Sequence, residues 1–173
     1  MALLSMKRTV LKIMIGICLP LTVNAASLDQ IKMAFLFHFT QFTHWPESSF
    51  QSAESPFTIC LKADSSLTTL LQLTVQNEVF NNRAFKVVEI LETEDIESCH
   101  ILFISKSKYS KTLPQISSAI LLVSDYDGFA AQGGMIEMQE QDRHLKLLIN
   151  NKVVTNAGLR IRSSLLNLAT IVE

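Results

Sequence analysis

Short, uninterrupted apolar runs constrain this chain more than any other feature. Residues 100–105 (HILFIS) and 119–123 (AILLV) are the clearest of them. Successive side chains of a strand point to opposite faces, so a run that is apolar at every position needs cover on both. Such strands belong in the middle of a parallel sheet. Residues 57–61, carrying Cys60, and 85–91 (FKVVEIL) read as two further strands.

The stretches between these runs have helical signals. In 28–44, Ile31, Ala34, Phe35, His38, Phe39 and Phe42 recur at helical spacing, with Ser27 or Asp29 as cap and Pro46 as terminator. Asp64-Ser65-Ser66 caps a second helix over 66–76. Asn81-Asn82 marks a turn, and 92–97 is an acidic connection. A helix over 107–117 is indicated despite Pro114.

The pattern then changes. Residues 135–139 and 144–150 alternate around Glu140-Gln141-Asp142-Arg143, which predicts a hairpin with a four-residue loop. A short helix over 151–157 follows, with Gly158 in the left-handed position after it. Residues 159–162 form an extended link. Ser163 caps a last helix on which Leu165, Leu168, Ala169 and Val172 share a face. The sum is an α/β fold: a mostly parallel sheet with helices on both faces, and a C-terminal hairpin adding antiparallel edge strands.

Residues 1–25 have the layout of a cleavable export signal. Lys7, Arg8 and Lys12 precede an apolar run over 13–23, and Val23-Asn24-Ala25 ends in a small residue before a cut at Ala25/Ala26. The run is short of the roughly 20 apolar residues of a membrane helix, the alternative reading. Ile17 before Cys18 speaks against lipoprotein processing. Residues 26–173 remain as a single domain of 148 residues. The signal takes three of the 15 basic residues and none of the 16 acidic ones, leaving 12 against 16 and a formal net charge of −4. No clustered basic face points to nucleic acid.

Cleavage would also reduce three cysteines to two, Cys60 and Cys99. In an oxidising compartment two cysteines read as a disulfide. The closed loop would contribute about 4 kcal/mol in the chain-entropy model. Two separate buried thiols are the alternative. No CxxC suggests a thioredoxin-like centre.

Catalytic signals are missing. The chain has no G-x-S-x-G, no H-E-x-x-H and no P-loop. His38 and His44 would stand about 240° apart around a helix and cannot easily share a metal ion. His38 reads as a core histidine on the apolar stripe. Gly133-Gly134 reads as backbone freedom before the hairpin. Asp125 and Asp127 follow a buried strand, where open α/β sheets place ligands. They read either as a cation or hydrogen-bonding site, or as a solvated turn around Gly128. Arg160 and Arg162 alternate along the extended link, and are either an anion or partner site or surface salt-bridge formers. Trp45, Asp125, Arg160 and Arg162 are the candidate ligand or partner contacts. No cofactor and no catalytic residue is assigned.

Several segments resemble one known family. Residues 31–46 (IKMAFLFHFTQFTHWP) are similar to the aromatic helix ending in Trp-Pro of YfiR-type periplasmic proteins. Residues 57–60 (FTIC) resemble their first strand, and 99–105 (CHILFIS) a later one. Asp127-Gly128-Phe129, then Gly133-Gly134-Met135-Ile136, resemble the opening of their hairpin. Ile149-Asn150 and then 157–166 (AGLRIRSSLL) are similar to their C-terminal signature.

The resemblance implies a non-enzymatic, homodimeric periplasmic repressor. Its partner would be the periplasmic part of an inner-membrane diguanylate cyclase, whose cyclic-di-GMP output it keeps low. An OmpA-like outer-membrane lipoprotein would sequester it. Cys60 and Cys99 match one family disulfide by position. The second pair of some members is absent, since 129–162 contain no cysteine. A periplasmic small-molecule sensor is the competing expectation.

Overall fold

The computed structural model describes residues 27–91, 96–116, 119–142 and 144–172. The expected export signal, most of the acidic connection and Arg143 lie outside the described residues. In chain order the elements are α1 (Leu28–Phe42), β1 (Thr43–His44), β2 (Phe57–Lys62), α2 (Ser65–Val75), β3 (Val79–Phe80), β4 (Arg83–Glu89), β5 (Ile101–Ile104), β6 (Leu121–Ser124), β7 (Ile136–Gln141), β8 (His144–Ile149), α3 (Asn151–Asn156), β9 (Arg160–Ile161), α4 (Ser163–Leu166) and β10 (Thr170–Ile171). Among the described residues no helix is long and apolar enough to cross a membrane.

Eight strands form one sheet in the order β10-β8-β7-β6-β5-β2-β4-β3, and β1 pairs with β9 apart from it. The stretch β4-β2-β5-β6-β7 is parallel, as the apolar runs require. β5 and β6 are buried at every position. The hairpin β7–β8 is antiparallel. The fold is therefore the expected mostly parallel α/β sheet with antiparallel C-terminal strands.

Register assigns side chains to the two faces. Ile59 and Leu61 of β2 stand opposite Ile101 and Phe103 of β5, which stand opposite Leu121 and Val123 of β6. α1 covers this face, and Phe37 meets Phe85 of β4 edge-on at 5.6 Å. Met33, Leu36 and Phe39 are wholly buried, each contributing about 1.5–3 kcal/mol. Cys60, Leu102 and Leu122 point to the other face.

α1 begins in a capping box. Ser27 Oγ accepts from Gln30 N, and Gln30 Oε1 accepts from Ser27 N. The helix ends at Phe42, two residues before the expected bound, because Thr43 and His44 are extended and pair with β9. Its buried stripe is rotated from the expected one. Lys32, Met33, Leu36, Phe39 and Thr40 are buried, and His38 is exposed. The core-histidine reading is thus wrong, and a lysine lies inside instead.

Further corrections concern connections. Residues 105–116 are turn and irregular structure where a helix was expected. Pro114 has no N–H to give a helix, and Lys111 holds φ +60°. Asn81 and Asn82 both have positive φ and turn β3 into β4, with Phe80 opposite Arg83. The hairpin loop is shorter than expected, since Gln141 pairs directly with His144.

The last helix is a single turn with Arg162, and not Ser163, at its N-cap. Leu168 is 78% exposed. Thr170–Ile171 instead add a parallel strand outside β8, so the hairpin is not the sheet edge. The unpaired backbone groups of β8 draw the chain into this strand, and Val172 N donates to Ile149 O.

Candidate functional site

Two extended pieces far apart in sequence make the floor of a cleft. Thr43 and His44 pair with Ile161 and Arg160, and Arg162 N donates to Phe42 O at 2.8 Å. This brings Arg162 beside the Trp-Pro end of α1. Leu159 and Ile161 are buried, while Arg160 and Arg162 alternate outward, as the extended link predicts.

Trp45 is buried and meets the Phe57 ring edge-on at 4.9 Å. Its indole Nε1–H donates to His100 O at 3.2 Å, the partner such a buried N–H needs. Phe50, the one large apolar residue of a polar loop, stacks on His100 at 4.6 Å. The Arg83 guanidinium lies 4.0 Å over the Phe50 ring and donates to Ser52 O and Ser55 O. That pair of bonds pins the 47–56 loop against β4.

His100 is set within this wall. Its Nδ1 accepts from Thr58 N at 3.0 Å, so the ring proton is on Nε2, which donates to Ser49 O at 3.1 Å. Burial pushes its pKa below the ordinary histidine value. The Ser49 bond opposes that, and nearby Arg83 adds to it.

The resulting cleft holds about 640 Å³ and is lined by Trp45, Arg83, Arg162, His44, Glu47 and Phe50 among others. That size and mixed lining suit a small ligand. Two guanidinium groups give it positive character, and neither Arg160 nor Arg162 has an ion pair among the described residues. The structure thus unites Trp45 and Arg162. Arg83 and Phe50 were missed, because only the fold brings β4 and the loop to the helix end.

Asp125 lies elsewhere and is already occupied. Its Oδ2 pairs with Lys32 Nζ at 2.7 Å and its Oδ1 accepts from Lys106 N at 2.6 Å. Asp127 is exposed in a turn where Gly128 holds φ +86°. Buried Glu137 accepts from Gly128 N and Ala130 N and fixes that turn. Among the described residues no group of three or more His, Cys, Asp or Glu is placed to hold a metal ion. Cys60 and Cys99 are joined by a disulfide on the sheet face opposite α1, with Cα atoms 5.8 Å apart.

Comparison with known proteins follows the same pattern. No curated protein matches the chain. A family model described as YfiR/HmsC-like matches residues 29–170, from the second residue of α1 to the first residue of β10. That match covers the sheet, the clamp between β1 and β9, and the disulfide: the chain belongs to the YfiR/HmsC-like family.

Proposed function

We propose that this protein is a periplasmic repressor that binds the periplasmic domain of an inner-membrane diguanylate cyclase and lowers cyclic-di-GMP output. The family match over residues 29–170 carries this reading, since the family is one of periplasmic regulators of diguanylate cyclase signalling. The export signal read in residues 1–25 supports it. A domain on that side of the membrane cannot touch the cytoplasmic messenger, so its effect passes through a membrane-spanning partner. The protein acts by contact and not by catalysis. It works as a homodimer, and an OmpA-like outer-membrane lipoprotein relieves the repression by sequestering it.

Deleting the gene should raise cellular cyclic-di-GMP and matrix output. An unchanged cyclic-di-GMP level with the cyclase gene intact removes the reading.

The cleft at Trp45, Arg83 and Arg162 favours a second reading, a sensor for a small periplasmic ligand. The two readings are compatible, because a ligand biases a repressor through its differential affinity for two states. Thermal-shift measurements with nucleotides, aromatic amino acids and metals test it. No shift at millimolar ligand argues against it.

A further inference from the structure

We propose that the 47–56 loop is a proton-operated clasp on the Trp45–Arg162 cleft: a neutral His100 holds the loop against β2, and protonation of that imidazole releases it. The clasp deepens the reading of the cleft as a ligand site by giving that site a control.

The imidazole joins loop and strand twice over. Phe50 of the loop and Phe57 of β2 stack on it at 4.6 and 4.7 Å, their planes tilted by 24° and 26° from its own. Its nitrogens repeat the arrangement. Nδ1 accepts from Thr58 N in β2 at 3.0 Å, and Nε2–H donates to Ser49 O in the loop at 3.1 Å. Only the neutral ring can make both bonds, because an imidazolium is a donor at both nitrogens. Once charged, its Nδ1–H would face the Thr58 N–H, and the ring must leave that position.

The loop has few other ties. Ser49 N bonds Pro46 O, Phe50 N bonds Glu47 O and Ser55 N bonds Ser52 O, so these backbone bonds stay within the segment. Arg83 is the second tie to the body, through Ser52 O, Ser55 O and the Phe50 ring. Its cation repels a charged His100 beside that same ring. Lys86 of β4 and Glu97 before β5, one of each sign, line the hollow on which His100 opens. Glu47 of the loop lines the cleft. Burial chiefly, with Arg83 adding to it, disfavours the charged ring in the clasp, so protonation and release go together.

Release reaches the cleft directly. Glu47, Phe50, Ser52 and Ala53 of the loop line it, so one wall leaves with them. Histidine is the side chain whose charge ordinarily changes between about pH 5 and 8, so the clasp answers mild acid. A ligand in the closed cleft and a proton on His100 then oppose each other, by equal factors.

Trp45 is the one tryptophan of the chain and reports the clasp without any ligand. It meets Phe57 edge-on at 4.9 Å and donates to His100 O. Acrylamide quenching of its fluorescence is followed in the purified protein from pH 8 to 5. The quenching constant should rise about two-fold in one reversible step centred below pH 6.5, with far-ultraviolet dichroism unchanged, as for a local opening. His100→Asn should abolish the step. His44→Asn, at the exposed neighbour of Trp45, should keep it. Constant quenching in the parent overturns the proposal. So does a rise that accompanies loss of dichroism, which is global unfolding, or a step that His44→Asn removes. Should His100→Asn fail to fold, the parent and His44→Asn decide on the same terms. The step needs no ligand, so it stands or falls apart from the thermal-shift test of the cleft.

Discussion

Lys32 and Asp125 form a buried ion pair, Nζ to Oδ2 at 2.7 Å, with their side chains only 6% and 5% exposed. It ties the second turn of α1 to the residue after β6, across 93 positions of sequence. The other carboxylate oxygen accepts from Lys106 N, so Asp125 joins three segments at the carboxyl ends of the central strands. Asp29, 3.8 Å from the same ammonium, is exposed and adds little.

Removing one partner of this pair should cost more than removing both. Lys32→Met leaves a buried carboxylate without its cation and should destabilise by about 3–5 kcal/mol. Lys32→Met with Asp125→Asn removes both charges and retains an acceptor for Lys106 N, so it should recover a large part of that loss. Urea unfolding of the single and double variants measures the difference. A single variant within about 1 kcal/mol of the parent would mean the pair is solvated.

The disulfide makes a separate contribution. Replacing Cys60 and Cys99 by Ala should lower stability by about 2–5 kcal/mol, since the 39-residue loop is then unconstrained in the unfolded chain. Unfolding of the oxidised protein, the reduced protein and the variant should show the last two close together. Two alkylatable thiols in the folded, unreduced chain would contradict the bond.

His100 predicts an acid-sensitive fold. Its folded pKa lies below the ordinary 6.5. Below pH 6.5 the unfolded chain takes up a proton that the folded chain refuses, so unfolding becomes easier as pH falls. The contribution is complete above 6.5 and declines between 6.5 and the lowered folded value. Protonation also costs the Thr58 N to Nδ1 bond. Stability of the parent measured from pH 8 to 5 should fall more steeply than that of His100→Asn. Parallel curves would remove His100 as the cause.

Gly134 should tolerate no side chain. A Cβ there would lie 2.2 Å from Cδ1 and Cε1 of Phe129, a ring that is itself fully buried. Gly134→Ala should destabilise by about 1–3 kcal/mol through overpacking. Gly158→Ala meets no atom within 4 Å and isolates the cost of φ +78° alone. Thermal unfolding of both separates close approach from backbone strain.

Local chemistry was read correctly where it is self-contained. Asn81-Asn82 turns a hairpin because both residues accept positive φ. The apolar runs at β5 and β6 became central parallel strands because no other position covers both faces. Reading failed where a distant partner decides. Lys32 carries no sign of burial, and periodicity put His38 inside in its place. The α1 stripe turned because Asp125 offers a counter-charge from a strand end the helix meets only after folding. The site was half legible for the same reason. Trp45 and Arg162 stand out by residue type, but Arg83 gains meaning only once Phe50 lies beneath it.

By itself the sequence determined the class of sheet, the positions of its central strands, the turn residues and the one cysteine pair among the described residues, because each rests on a periodicity or a residue type with few physical solutions. The tertiary structure alone decided which edges were filled. Thr43–His44 left α1 to pair with β9, and residues 170–171 left a predicted helix to cover β8. Those short segments have weak local preferences, and a strand edge with unpaired N–H and C=O groups outweighs them. Closure of the cleft follows from these pairings, since Arg162 lines it with Trp45 only when β9 is held against the end of α1.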